Sequence, residues 1–467
     1  MRREIITTGF YNFGVQGVGI VSAIIIARVL GPEQAGRFNF GVSYSMLFQA
    51  IFVTGISSAF IGSAAQQRDE IVEFFSAYVV LLVGLNVLWC AGFLPYVCFS
   101  FWKDDWSMAL LIYTLVLSES LGLAYILNKS WHNVFVEQRK SSLPSFVRIC
   151  LIKVFQVIVV CNASELYFLG VSSLFGSIVG LIFLFHGYQA QIGLQWPRRA
   201  TLCFLARESV TYSLININKL LGQQLDKVFL GAVVGYTVVG FYVVGQRLGS
   251  LIEIIGASAG IVFFPLFTSL IVKGKDEEVR DAIQKYLLFV ILLIVPTLLS
   301  LSLCSEQLVS LVFGTKYRQA GDVFKVFVLL GVLSLLTIPY INLLLGQGRQ
   351  LRVVYLNLLA FIALGVLFSW LYVLDLEELL KMELVAVARL VPYGIVFVGV
   401  VVSAQKDVKS CNTTLVIAGL EILIYLVVEW LGDLGWSLWH QFVTLLACCL
   451  ATFMIFFWSK LVTNDKL

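Results

Sequence analysis

The chain has 467 residues, 59% of them hydrophobic and only 13% charged, with a mean hydropathy of +0.92 and a formal net charge of +4. Soluble domains carry roughly 25% charged residues, so this composition excludes a soluble globular protein and defines an integral membrane protein. The apolar runs have the ~20-residue length of a helix crossing a bilayer, and only helices or closed barrels satisfy the backbone there. The fold class is therefore an all-α polytopic membrane protein, and a barrel is excluded.

In chain order, the N-terminal MRREIITTGF leads straight into an apolar run with no small-residue cleavage site, which predicts a retained first span. Apolar runs between charged or turn-forming breaks predict about 14 transmembrane helices. They fall near 9–30, 36–64, 71–99, 107–127, 143–163, 166–186, 209–231, 236–270, 283–312, 322–346, 353–374, 383–403, 413–431 and 436–459. The expected organisation is two six-helix lobes, 1–190 and 209–404, a connector at 191–208, and two additional helices in 405–467.

An internal repeat carries this division. Leu30, Gly31, Gly36 and Phe38 of VLGPEQAGRF correspond to Val234, Gly235, Gly240 and Tyr242 of VVGYTVVGFY, at a constant offset of 204. A weaker match, IFVTG from Ile51 against IEIIG from Ile252, follows at an offset of 201. Such a period is too long for a solenoid and fits a transporter built from two bundles related by an axis along the membrane normal.

Orientation follows from the loops, since cytoplasmic loops carry the excess of Lys and Arg. With the N-terminus inside, the inner loops hold 19 basic residues and the outer loops 6, which places both termini in the cytoplasm. The longest central break, Gly187 to Ala206, carries Trp196, Pro197, Arg198 and Arg199, as a cytoplasmic connector would. The nine Cys lie mostly in apolar segments without a CxxC pair, and the three His have no metal-ligand spacing, so neither a disulfide framework nor a metal site is expected.

An ionisable side chain at the bilayer centre costs several kcal/mol, so such residues face a bundle interior or a watery cavity. Seven basic residues, Arg28, Arg148, Lys153, Lys219, Lys227, Arg247 and Arg389, stand against five acidic ones, Glu119, Asp226, Glu253, Glu421 and Glu429, a balance that leans toward an anionic cargo. Lys219, Gln223 and Asp226 share a helix face, where the Lys and Asp either neutralise each other or act on cargo and coupling ion. Arg247 has no acid at i+3 or i+4, and its planar donor set suits a phosphate; the alternative is an interhelical ion pair. Arg148 and Lys153 of the fifth helix are each placed either to face the same cavity from the first lobe or to snorkel to the cytoplasmic surface, and for Arg148, nearer that end, snorkelling is the favoured expectation. Arg28 is equally suited to snorkelling at the outer edge or to function. Asn12, Gln16, Gly19 and Ala23 form a polar, small-residue stripe that either packs helices or lines a cavity.

At these residues the chain resembles the polysaccharide-transporter branch of the multidrug/oligosaccharidyl-lipid/polysaccharide exporter superfamily, the Wzx-type O-antigen flippases and their relatives. The matching pieces are IIIARVLGPEQAGRF (Ile24 to Phe38), LDKVFLGAVVGYTVVGFYVVGQRL (Leu225 to Leu248), FFPLFTSL (Phe263 to Leu270) and LVFGTKY (Leu311 to Tyr317). The resemblance implies two lobes around a cavity that move an oligosaccharide on polyprenyl pyrophosphate from the cytoplasmic to the outer leaflet by alternating access. In the motifs, Arg28, Gly31, Pro32 and Gly36 would carry the first-lobe copy, and Asp226, Gly231, Gly240, Tyr242 and Arg247 the second.

The expected cargo-binding candidates are thus Arg28, Lys153, Lys219, Arg247, Asn12 and Gln16, with Asp226 and Glu119 as candidates for coupling to a proton or sodium gradient. Expected partners are the lipid-linked oligosaccharide, membrane lipids and polysaccharide assembly proteins, in a bacterial inner membrane, with no cofactor and no nucleic acid. Two other functions compete. A multidrug extruder of organic cations would favour cavity carboxylates over this Arg and Lys excess, and a membrane polymerase or ligase would present a sizeable external loop, whereas the outer loops here are short.

Overall fold

The computed structural model describes residues 2–47, 53–101, 105–135, 137–162, 165–187 and 194–404, and among these every regular element is helical. The expected spans at 413–431 and 436–459, with Glu421 and Glu429, lie outside the described residues. The helices are α1 (Arg2–Ser45), α2 (Thr54–Gln66), α3 (Ile71–Phe101), α4 (Trp106–Val134), α5 (Gln138–Asn162), α6 (Tyr167–Gly187), α7 (Arg199–Val233), α8 (Tyr236–Val272), α9 (Asp276–Phe289), α10 (Val295–Leu303), α11 (Ser305–Phe313), α12 (Ala320–Gly346), α13 (Gln350–Val373), α14 (Glu378–Ala388) and α15 (Leu390–Ala404). Nine helical stretches among the described residues are long and apolar enough to cross a membrane.

Several boundaries differ from expectation for identifiable reasons. At 44 residues α1 would be about 66 Å long, twice a bilayer core, and it bends at Gly31 (φ 75, ψ 175) ahead of Pro32, which separates the first two expected spans. The span expected at 283–312 ends at Leu303, because Cys304 leaves helical geometry and α11 starts afresh. Between α9 and α10 a π-helical turn, Val290–Ile294, gives Pro296 a place where its missing N–H and bulky ring are tolerated. The span expected at 383–403 is broken at Arg389, three residues before Pro392. Helix α7 begins at Arg199, so the second half of the expected connector is helical. Thr201 Oγ1 donates to Glu73 Oε1 at 2.6 Å, and the Gln195 amide donates to Ser76 Oγ at 3.2 Å, fixing this entry against α3.

The chain forms two compact units, one of residues Met1–Val243 and one from Val244 onward. In the first, α4 packs on α6, α5 on α1 and α6, and α2 on α7. Its core includes Phe60 stacked on Tyr78 at 4.9 Å, with the Tyr78 hydroxyl within 2.8 Å of Ser57 and 3.1 Å of Ser130. In the second, α12 and α13 both pack on α15.

The two repeat copies share backbone chemistry as well as sequence. Gly31 and Gly235 have φ of 75° and 141°, a region that side chains with a Cβ rarely enter. The copies also touch within the first unit. A Cβ on Gly36 would collide with the Tyr236 carbonyl and lie 2.9 Å from the Gly240 nitrogen, and a Cβ on Gly240 would collide with the Pro32 carbonyl. Since 32 and 236 are themselves one repeat offset apart, each copy presents the same glycine to the same carbonyl of the other, the signature of a local two-fold contact. Beside it the rings of Phe40 and Tyr236 meet edge to face at 5.4 Å.

Candidate functional site

Asp226 is fully buried on α7, and its Oδ2 accepts a 2.6 Å hydrogen bond from the hydroxyl of Tyr242, itself fully buried on α8. The repeat therefore brings a coupling candidate into contact with the aromatic residue of its own motif. The side chains of Lys219, Gln223 and Asn12 lie outside the described residues. Arg28 and Gln16 are exposed on α1, while Gly19 and Ala23 are half-buried.

The first unit holds a polar seam that sequence reasoning placed differently. Arg148 does not snorkel. Its guanidinium turns inward between α4, α5 and α6, with the side chain only 11% exposed. It donates to Ser118 O at 3.0 Å and Ser177 Oγ at 3.2 Å, lies 3.6 Å from Glu119 Oε2, and sits over the Tyr125 ring at 5.5 Å. Room for it is made at Gly122, where a Cβ would fall 2.7 to 2.8 Å from three guanidinium atoms. The physical reason is local: an arginine offered two serine-bearing helices, a carboxylate and an aromatic face gains more from them than from reaching for the surface. Glu119, expected as a coupling carboxylate, is thus one half of this ion pair.

Lys153, one helical turn and a half along α5, donates to Gln156 Oε1 at 2.9 Å, and Gln156 Nε2 donates to the buried Ser173 Oγ at 2.8 Å. Ser118 Oγ completes the seam by donating to Ser173 O at 3.0 Å. Nothing in the spacing of one sequence joins Ser118, Ser173 and Ser177 to Arg148; only a small residue recurring on α6 at Ser173, Gly176, Ser177 and Gly180 hinted at a close-packed face.

In the second unit Arg247 is half-buried on α8, and no carboxylate among the described residues pairs with it. Arg389 is fully buried at the α14–α15 break, its guanidinium over the Tyr393 ring at 5.7 Å, and Tyr393 donates to Glu253 Oε1 at 3.3 Å. Among the described residues no cluster of metal-ligating side chains occurs. In the turn between α4 and α5, Glu137 lies 2.7 Å from the His132 ring and 3.1 Å from the Lys140 ammonium, which hold its carboxyl below its usual range.

Helices suited to crossing a membrane and a duplicated glycine motif define a polytopic membrane protein, and the family matches that follow make it a transporter of the multidrug/oligosaccharidyl-lipid/polysaccharide exporter superfamily. The family model described as "Polysaccharide biosynthesis protein" matches residues 1–271, and the MatE model matches residues 212–371. The chain belongs to the polysaccharide biosynthesis protein family. It is 25% identical over 130 residues to the teichuronic acid biosynthesis protein TuaB of Bacillus subtilis (strain 168), a stretch covering 28% of this chain and 26% of that protein's length. In fold it is similar to the lipid II flippase MurJ in an inward closed conformation, with a TM-score of 0.68, 12% identity, and coverage of 98% of this chain and 100% of that one. An inward-facing multidrug resistance transporter of the MATE family follows with a TM-score of 0.55 and 13% identity, covering 86% and 96% of the two chains.

Proposed function

We propose that this protein is a flippase that carries a polyprenyl-pyrophosphate-linked oligosaccharide from the cytoplasmic to the outer leaflet by alternating access, in the making of O-antigen, capsule or exopolysaccharide. The match of residues 1–271 to the polysaccharide biosynthesis family carries this reading. The basic lean of the intramembrane charges supports an anionic cargo, and the fold it shares with the lipid II flippase MurJ supports a lipid-linked one. In this reading the lobes are 1–190 and 209–404, both termini are cytoplasmic, the membrane is the bacterial inner membrane, and the protein performs no bond chemistry. Arg247 meets the pyrophosphate through its two-pronged donor set. Lys153, Lys219, Arg28, Gln16 and Asn12 line the path. A proton or sodium ion acts through Asp226 or Glu119 in place of any cofactor.

The second reading, a cation-coupled multidrug exporter, is favoured by the MatE match over residues 212–371. Lipid-linked sugar on the cytoplasmic leaflet separates the two, measured together with the amount of protein in the membrane. Deleting the chain should raise that pool, Arg247→Lys should restore translocation only in part, and Arg247→Ala should nearly abolish it at normal abundance. Full translocation by Arg247→Ala would refute the role given to this residue. A deletion that leaves the pool unchanged while sensitising cells to organic cations would move the whole assignment to the exporter.

A further inference from the structure

We propose that the strap leading into α7, Leu194 to Arg199, is a docking surface for anionic phospholipid, which seats Trp196 at the headgroup level and meets lipid phosphates with Arg198 and Arg199. Its assignment to the cytoplasmic leaflet rests on the orientation in the reading above. Three observations carry it, and the first is exposure. Trp196 is 87% exposed, with Leu194 before it and Phe204 farther along α7 exposed as well, whereas Pro197 is buried. The strap is thus anchored to the protein while its largest apolar side chains are left uncovered. An indole in that position suits the membrane interface, where its ring meets apolar matter and its N–H stays among polar groups.

Depth is the second. The Gln195 amide on Ser76 Oγ at 3.2 Å and the Arg198 amide on Glu73 Oε1 at 3.4 Å tie the strap's backbone to α3. At 31 residues α3 is about 46 Å long and overhangs a ~30 Å apolar core by about 8 Å at each end. Ser76 lies about 7.5 Å along the helix from Ile71, so the strap is pinned where headgroups meet acyl chains. Asp69 and Glu70, exposed ahead of α3, fall on the aqueous side of that level by the same arithmetic. Charge is the third. The buried Glu73 carboxylate is already served by Thr201 Oγ1 at 2.6 Å and by the Arg198 amide. Arg198 Nε lies 3.7 Å from it, yet the side chain is 76% exposed and is left to face a second anion. Arg199 is exposed beside it and Arg207 two turns on, against the single acid Glu208 within 194–210. Aromatic and basic groups at this depth match an anionic leaflet, where each cation near the surface is worth about fivefold in binding.

The test uses the full chain in lipid nanodiscs of equal phosphatidylglycerol and phosphatidylcholine, one of the two brominated in turn. A fluorophore on Cys203, exposed one turn after Arg199 and kept as the only cysteine, reports which lipid lies beside it. Cys161, exposed at the far end of α5 and so in the other leaflet, serves as the control. Brominated phosphatidylglycerol should win over brominated phosphatidylcholine by about fivefold at Cys203 and by nothing at Cys161. Arg198→Gln with Arg199→Gln should bring Cys203 toward parity. So should 1 M salt, where the screening length is about 3 Å, and that arm needs no variant to fold. A label at Trp196→Cys should be quenched by bromines near the glycerol and shielded from aqueous iodide. Equal quenching at Cys203 and Cys161, or a preference untouched by both the substitutions and salt, would overturn the proposal. So would a Trp196→Cys label open to iodide until cytosolic extract is added, which gives the surface to a protein. An impermeant maleimide that reaches Cys203 from outside intact cells would count against the orientation alone, because both leaflets of the discs are alike and the lipid preference still decides the docking surface.

Discussion

Truncating Arg148 to Ala separates the inward seam from a snorkelling side chain by its magnitude. An arginine whose head lies in the headgroup layer contributes little, and its removal should cost about 0.5 kcal/mol or less. In the structure Arg148 makes two charge-assisted hydrogen bonds, to Ser118 O and Ser177 Oγ, each worth about 1.5–3 kcal/mol, and an ion pair with Glu119 whose partner would be left behind. Breaking such a pair by removing one member costs about 3–5 kcal/mol, and that is the expected loss. Lys in place of Arg keeps the charge but has one point of donation where three acceptors are spread apart, and should cost about 1–3 kcal/mol. Gly122→Ala supplies an internal control. With Arg148 present the new methyl lies 2.7 Å from the guanidinium and should cost about 1–3 kcal/mol; in the Arg148→Ala background it meets nothing from that side chain and should cost far less. The assay is equilibrium unfolding of the purified chain in mixed micelles with rising SDS, followed by circular dichroism. A loss near 0.5 kcal/mol for Arg148→Ala, or an equal cost for Gly122→Ala in both backgrounds, would refute the inward seam.

Asp226→Asn keeps an acceptor for Tyr242 and should fold at near-normal abundance while losing ion-dependent translocation, whereas Asp226→Ala strands a buried hydroxyl at about 1–3 kcal/mol; unchanged ion dependence in Asp226→Asn would remove this residue from coupling. At the turn between α4 and α5, the lowered Glu137 carboxyl contributes stability that is present above the ordinary carboxylate range and is lost as pH falls through the lowered value. Hydrogen exchange of residues 132–141, corrected for intrinsic rates, should therefore quicken below about pH 4.5 in the parent, and Glu137→Gln should abolish that dependence.

Length and hydropathy made the helices legible, because a bilayer imposes one length and one way to satisfy the backbone. The breaks were less so. A break such as that at Cys304 is decided by what the neighbouring helices leave room for, and an apolar run reads the same whether one helix or two pass through it. The repeat was visible because glycines at positive φ and at backbone contacts admit no substitute, so both copies retain them at a fixed offset. The Arg148 seam was hidden for the opposite reason. Its partners are serines, a backbone carbonyl and a ring on three helices, residue types too common to signal their meeting until the chain is folded.

What the duplication leaves unequal argues for where the chemistry lies. One offset before Asp226 is Ser22, and one offset before Tyr242 is Phe38. All four are buried. In the first copy Ser22 satisfies itself on Gly19 O at 3.0 Å, and Phe38 has no hydroxyl to give. In the second copy both positions are polar together, as a carboxylate and the phenol that donates to it at 2.6 Å. A pair needed only to build the fold would suit either copy, and the glycines show that structural needs are met alike in both. A buried carboxylate is costly to keep, so its restriction to one copy, with its donor changed alongside it, fits a group retained for what it binds or releases. The frame is duplicated and the ionisable pair is not. On that ground Asp226 is the first carboxylate to test for coupling, through the Asp226→Asn substitution described above.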